Sequence, residues 1–264
     1  MGDGAVTVVR FERDPEELRP ALTDSPVLPP GQPVAGARRP SLASTRTVER
    51  ALDLLATVCT ERGLSLTECA RRSGLAASTA LRLLRTLEAS EFVTRDTSGS
   101  YDPGPRLLQL GATALGRDAL VQQSEPALQR IVAATGETAY LSTRGPGGTA
   151  LYVATVEGTH AVRHTTPVGR TIALEGIAVG LVLRGETPQS GYVAERDRTE
   201  PDVTAIAAPI RRPGGVAAAL SLLGPTYRIS DDTMHAYGRI VAAEAERISA
   251  LLGTAPPEAP GESE

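Results

Sequence analysis

The chain has no tryptophan and no lysine, and its 264 residues include two cysteines, three histidines and 3% aromatics. With so few rings, the cores must be assembled from Ala, Val, Leu and Ile. The two cysteines, Cys59 and Cys69, both lie within helical patterning beside core positions. They are expected as small buried hydrophobes rather than as a disulfide or a metal site. No apolar run approaches the ~20 residues a membrane helix needs, and the N-terminus lacks a signal-peptide core. A soluble cytoplasmic protein without membrane contact is expected. The G-x-S-x-G, P-loop and G-x-G-x-x-G fingerprints are absent, so neither enzyme chemistry nor a cofactor is expected. His160 and His164 share a face in a helix or a strand, but only Glu157 stands near to help complete four ligands. No metal site follows. His235, the third histidine, is expected on the surface of the final helix.

Positive charge comes wholly from arginine, and the formal net charge is −4. Residues 46–106 hold nine arginines against eight acids, a local balance of +1. Any nucleic-acid contact there must use arginines grouped on one surface, because bulk attraction is missing. Residues 1–43 carry seven prolines among small residues and are expected as a disordered leader. The proline-rich, acidic 253–264 segment is expected as a disordered tail.

What the sequence does contain is concentrated at 64–90, LSLTECARRSGLAASTALRLLRTLEAS. Ser65 with Glu68 has capping-box spacing, so a helix should start there and stop at Ser73-Gly74. Ala80, Leu83, Leu84 and Leu87 then form the apolar stripe of a second helix. Its opposite face carries Ser78, Leu81, Arg82 and Arg85, with no acid before Glu88. Such a helix suits the major groove of DNA. A helical hairpin with a solvated basic face fits the same residues. Upstream, Val48, Ala51, Leu52 and Leu55 predict a third helix; downstream, 92–101 with the turn Asp96-Thr97-Ser98-Gly99 predicts a β-hairpin. Together these make a winged helix-turn-helix at 44–106.

The stretches RTVERALDLL (46–55), LSLTECARRSGL (64–75), STALRLLRTLE (78–88), FVTRD (92–96) and GPRLLQLG (104–111) resemble the IclR family of bacterial transcriptional regulators. The likeness continues through GET (136–138), TPVGR (166–170), AIAAPI (205–210) and AALSLLGP (218–225), in the family's order. The resemblance implies a regulator whose affinity for double-stranded operator DNA changes when a small molecule binds a second domain. Ser78, Thr79, Arg82 and Arg85 would then face the groove, and Arg95 in the wing would reach a phosphate or the minor groove.

The remaining pattern predicts an α+β architecture: a linker helix, then a GAF-like antiparallel-sheet effector domain, together spanning 107–252. Leu107, Leu108, Gly111, Ala114 and Leu115 give the linker helix an apolar stripe with small residues, the place where two subunits would meet as a homodimer or homotetramer. A second helix is expected from an N-cap at Ser124 to Gly136. Strands are expected at 137–143, 149–156, 160–165, 203–210 and 216–223, with helices at 174–183 and 231–252.

The segment 167–180 is the candidate ligand site. Gly169 and Arg170 lead toward a helix expected to begin near Leu174, and backbone N–H groups at a helix start favour a carboxylate. An ordinary strand-to-helix connection fits equally. The resemblance implies a pocket lined by this segment and by the strands at 205–210 and 218–225, naming Gly169, Arg170, Glu175, Gly176, Ala178 and Ser221 as effector contacts and an organic acid as effector. Departures from the family are Glu175 in place of the usual His, Leu223 in place of a frequent Ser, Ala77, Leu81 and Pro103 in the DNA-binding part, and a short 180–191 connection where longer members insert a segment. They keep two alternatives open: a constitutive DNA binder whose shortened sensor only dimerises, and a protein-interaction module without DNA binding.

Overall fold

A computed structural model of the protein describes residues 45–253; the expected leader lies outside the described residues, as does the tail from 254 onward. The described chain forms two compact units that divide between Arg117 and Asp118.

In the first unit, α1 (Arg46–Thr60), α2 (Leu66–Arg72) and α3 (Ala77–Ala89) precede a hairpin of β1 (Val93–Arg95) and β2 (Tyr101–Pro103), followed by α4 (Pro105–Arg117). The expected capping box forms: the Glu68 N–H donates to Ser65 Oγ, and the Ser65 N–H donates to the Glu68 carboxylate. The Ser65 hydroxyl also donates to the Glu68 carboxylate at 2.7 Å, and this bond, with that from the Ser65 N–H, holds the carboxyl below its ordinary range. Leu64 pairs with Tyr101 and so anchors the wing to the start of α2. Leu54, Leu55, Val58, Cys69, Ala80, Leu83, Leu84, Val93 and Tyr101 make the core. The expected stripe of α1 is rotated: Leu54, Leu55 and Val58 are buried, while Val48 and Leu52 are exposed. Both faces satisfy helical spacing, so only packing against α2 and α3 chooses between them. Cys69 is buried as expected; Cys59 is exposed on the other side of α1.

In the second unit, a six-stranded antiparallel sheet has the order β5-β4-β3-β8-β7-β6. Its strands are β3 (Thr138–Arg144), β4 (Thr149–Val156), β5 (Thr171–Ala173), β6 (Val193–Arg196), β7 (Val203–Arg212) and β8 (Gly215–Pro225). Strand alternation sends one set of residues, including Leu141, Ile206 and Leu222, against α5 (Ala119–Thr135) and α7 (Asp231–Leu251). The other set, including Tyr140, Ala205, Ala207, Ala219 and Leu223, faces α6 (Ala178–Arg184).

Three expectations change here. First, α5 starts at an Asp118 cap, whose carboxylate accepts from the Leu120 and Val121 N–H groups. Ser124 is a buried residue inside the helix, and Pro126 lies mid-helix rather than in its first turn. Second, residues 160–165 form a loop rather than a strand; the Thr138 hydroxyl donates to the His164 carbonyl, side-chain pairing in place of a ladder. Third, α6 begins at Ala178, after Gly176 takes a left-handed φ of 69°. Its packing is close: a Cβ at Gly180 would lie 1.8 Å from the Leu174 carbonyl oxygen, so only glycine fits there.

Candidate functional site

Two surfaces carry chemistry, one in each unit. In the first, α3 turns Ala80, Leu83 and Leu84 inward, which leaves Ser78, Arg82 and Arg85 exposed and Thr79 and Leu81 half-buried. Ser78, Leu81, Arg82 and Arg85, together with Thr86, Ala89 and Ser90, line a shallow groove of about 600 Å³, and Thr79 lies outside it. Among the described residues, neither Arg82 nor Arg85 forms a salt bridge, whereas Arg72 of α2 is paired with Glu61. Two guanidiniums on a helix face, unneutralised by acids, form a donor surface for phosphates and guanine edges. Arg95 is held differently. Its Nε donates to the Gly99 carbonyl at 3.3 Å and its guanidinium lies 5.5 Å from the Tyr101 ring centroid, which ties it to the turn of the wing. The Asp96 carboxylate fixes that turn by accepting from Ser98 Oγ and the Ser100 N–H.

In the second unit the sequence-derived ligand residues divide. Gly169, Arg170, Glu175 and Gly176 lie exposed on loops, while Ala178 and Ser221 are fully buried on the α6 face. The Gly169 N–H and the Arg170 carbonyl bond to Tyr152 of β4, so this loop feeds β5 and not a helix start. Ser221 sits in a cross-strand row with Ala207 and Tyr140, and its Oγ has no hydrogen-bond partner. Ser142, two residues beyond Tyr140 on β3, is likewise buried with an unpartnered hydroxyl. Alanines 205, 207 and 219 floor this face, and Tyr140 and Tyr152 stand against each other with ring centroids 5.0 Å apart.

Glu195 of β6, across from Ala205, was not legible as a site residue in the sequence. Its carboxyl accepts from Thr199 Oγ1 at 2.5 Å, and the backbone of Ala178, the first residue of α6, acts to lower its pKa, so a side chain of the protein itself lies near the start of α6. Its Oε2 is buried without a partner. Burial pushes this carboxyl up to about 7, against the pull of those hydrogen bonds and of Arg198. The folded state therefore holds the Glu195 proton more tightly than the unfolded chain. The stability gained is complete below the ordinary carboxylate range and is lost as pH rises through about 7. Glu195→Gln keeps an acceptor for Thr199 and Ala178 but cannot ionise. It is expected to flatten the stability profile between about pH 5 and pH 8 and to stabilise the protein at the upper end by on the order of 1–3 kcal/mol. Urea melts across that range check this; parallel profiles for the two proteins would rule it out.

A cavity of about 590 Å³ opens at the end of the sheet beside this face, between residues 162–165, residues 200–203, and Pro225 with Tyr227. His164 forms part of its wall. Tyr140 Oη lies 2.7 Å from His164 Nδ1 and also accepts from the Thr166 N–H. Burial pushes the Tyr140 hydroxyl up to about 12, so it keeps its proton. On the other side of the imidazole, Nε2 lies 3.7 Å from Glu200 Oε2 and has no hydrogen-bond partner. His160, expected on the same strand face, points elsewhere, with its Nε2 3.8 Å from Glu137. Among the described residues no group of three or more His, Cys, Asp or Glu could hold a metal ion.

The "IclR helix-turn-helix domain" family matches residues 47–97, and the "bacterial transcriptional regulator IclR C-terminal" family matches 112–185 and 185–250. The chain belongs to the IclR family of bacterial transcriptional regulators. The C-terminal match breaks at residue 185, just after α6. The HTH-type transcriptional regulator BhcR of Paracoccus denitrificans is 30% identical over 82% of this chain and 90% of its own length. An IclR regulator structure from Alicyclobacillus acidocaldarius superposes with a TM-score of 0.68 at 25% identity, over 78% of this chain and 98% of that one. An IclR homologue from Microbacterium hydrocarbonoxydans, solved with 4-hydroxybenzoate, shares the fold with a TM-score of 0.64 at 24% identity, over 78% and 99%. This IclR-family chain is a DNA-binding transcriptional regulator rather than an enzyme.

Proposed function

We propose that this IclR-family regulator reads its operator through α3 and adjusts its DNA affinity when a small organic molecule occupies the α6 face and the adjoining cavity of the second unit. The observation that carries the DNA reading is the outward face of α3, where Arg82 and Arg85 stand exposed beside Ser78 with no ion-pair partner among the described residues. Unpartnered buried hydroxyls at Ser221 and Ser142, set over an alanine floor, support the sensor reading. So does the homologue solved with 4-hydroxybenzoate. Its site of action is proposed to be the cytoplasm, with the DNA; among the described residues no helix is long and apolar enough to cross a membrane. DNase footprinting on the region upstream of the gene tests the DNA reading, and the absence of any protected sequence there or in a genomic pull-down would defeat it.

A dimer completes the proposal. Leu107 of α4 packs against the core of its own unit, but Leu108 is 74% exposed and Leu115 37%, with open space around Gly111. An uncovered stripe with small residues suits helix-to-helix pairing between two copies, which would place half-sites about 10 bp apart or a multiple of that. Leu108→Glu is expected to shift the protein to monomer in light scattering and to lose the paired footprint while keeping its melting temperature. An unchanged dimer would remove α4 from the interface.

One observation favours a second reading, a regulator that needs no ligand. Glu195 already places a carboxyl against the start of α6, where an acid effector was expected to bind. In that case Glu195→Ala would change operator affinity with no small molecule present.

A further inference from the structure

Among the hydroxyls and guanidiniums on the outward face of α3 stands a leucine. Leu81 lines the groove with Ser78, Arg82 and Arg85, and it is half-buried there. Other partly buried leucines of this unit, Leu66, Leu75, Leu87 and Leu107, pack against its core, and Leu81 does not join them. Helical spacing explains the difference. Ala80, Leu83 and Leu84 point inward, while Leu81 lies one turn from Ser78 on one side and one turn from Arg85 on the other. One turn back, Ala77 at the first position of the helix is exposed, so Ala77 and Leu81 form a short apolar strip beside the polar residues.

An apolar side chain on a surface that meets DNA has a defined consequence. When the face closes on the major groove, the base edge opposite Leu81 loses its water. A guanine edge presents two acceptors, a cytosine edge a donor, and an adenine edge one of each. Against leucine these groups are left without a hydrogen bond, which costs free energy. Thymine alone adds a methyl group to its exposed edge, and that group gains from apolar contact. The gain and the penalties therefore select the same base. Thr86 and Ala89 bring methyl groups to the groove as well, but both lie in the last turn of α3. Base edges are reached from the N-terminal part of such a helix, and Leu81 is the fifth of its thirteen residues.

We infer that Leu81 determines specificity by selecting thymine through its 5-methyl group, about two base-pair steps from the position met by Arg85. The spacing follows from the helix: from Leu81 to Arg85 the rise is about 6 Å, and base pairs are about 3.4 Å apart. The inference rests on the α3 reading proposed above and adds to it a base that guanidiniums do not favour.

The test uses the full-length protein and a pool of random-sequence duplexes, from which bound DNA is selected by gel shift. The wild-type protein is expected to enrich a half-site with a thymine whose preference is lost in Leu81→Ala, kept in Leu81→Met, and separate from the position altered in Arg85→Ala. On a synthetic duplex of the selected site, deoxyuridine at that one thymine removes only the methyl group. It is expected to weaken wild-type binding about fourfold per half-site, the worth of one buried methyl group. The Leu81→Ala protein should bind the two duplexes alike. Because the deoxyuridine comparison uses wild-type protein, it decides the matter even where a variant fails to fold. Equal wild-type affinity for deoxyuridine and thymine at every position in turn would overturn the inference and leave the α3 reading standing. A methyl-sensitive thymine that Leu81→Ala still prefers would do the same. Failure of the wild-type protein to enrich any sequence would overturn both.

Discussion

Replacing Arg82 and Arg85 of α3 with alanine is expected to abolish specific operator binding at working concentrations while the protein melts as before. Each arginine that reads a base edge contributes about 1–3 kcal/mol, so two such losses combine to roughly thirtyfold or more. If one of the pair instead meets a phosphate, its single variant should lower affinity evenly across sequences and reduce the salt slope by about one. That difference separates the two roles, which the positions of the side chains leave equal. Stability should hold because both side chains are exposed and make no ion pair among the described residues. Thr86 has a lesser claim on the DNA, since its hydroxyl is already bonded to the Arg82 carbonyl at 3.1 Å. Gel-shift titrations of the two single variants and the double variant, each at two salt concentrations, make the comparison. Unchanged affinity in the double variant would move recognition away from this face.

Glu137→Ala is expected to be the most damaging single substitution in the second unit. Glu137 is fully buried at the start of β3, and Arg228 grips both of its oxygens, at 2.6 and 2.9 Å. The same guanidinium donates to the Val162 carbonyl, so the pair also fastens the loop that forms one wall of the cavity. Removing one partner of a buried pair costs about 3–5 kcal/mol, because the other charge loses its compensation. Arg228 keeps 24% exposure and can recover some water, which places the expectation near the lower end of that range. The carboxyl group also fills the space over Gly224, so its loss leaves a void as well. Denaturant unfolding of Glu137→Ala, Arg228→Ala and the double variant should show strong coupling, with the double variant less destabilised than the sum of the singles. A loss below about 1 kcal/mol in Glu137→Ala would show that the pair contributes little.

The sequence by itself determined the elements whose signals are local. The Ser65–Glu68 capping box, the turn at Asp96, the glycine stop at Gly136 and the stripe of α3 each depend on groups within a few residues of one another, and all four form as expected. Strands β3, β4, β7 and β8 were legible for the same reason, being long enough to show their composition and flanked by turns. Strands β5 and β6, of three and four residues, were too short to carry a pattern.

Other features were decided by partners distant in the chain. Asp118 and Ser124 are both capping residue types, and Pro126 made the later start attractive; tertiary packing buried Ser124 and gave the cap to Asp118. Residues 160–165 alternate like a strand, yet hydrogen bonds from Thr138 and Tyr140 hold His164 in a loop. The exposure of Val48 and Leu52 follows from which side of α1 meets α2 and α3, a choice that periodicity leaves open. That Arg82 and Arg85 share the exposed face of α3 could be read from sequence because a helix presents every third or fourth residue on one face. Glu195, Glu200 and the unpartnered nitrogen of His164 could not. Their roles exist only once strand register sets Glu195 across from Ala205 and folding brings Glu200 beside His164, and neither register nor burial is written in local spacing.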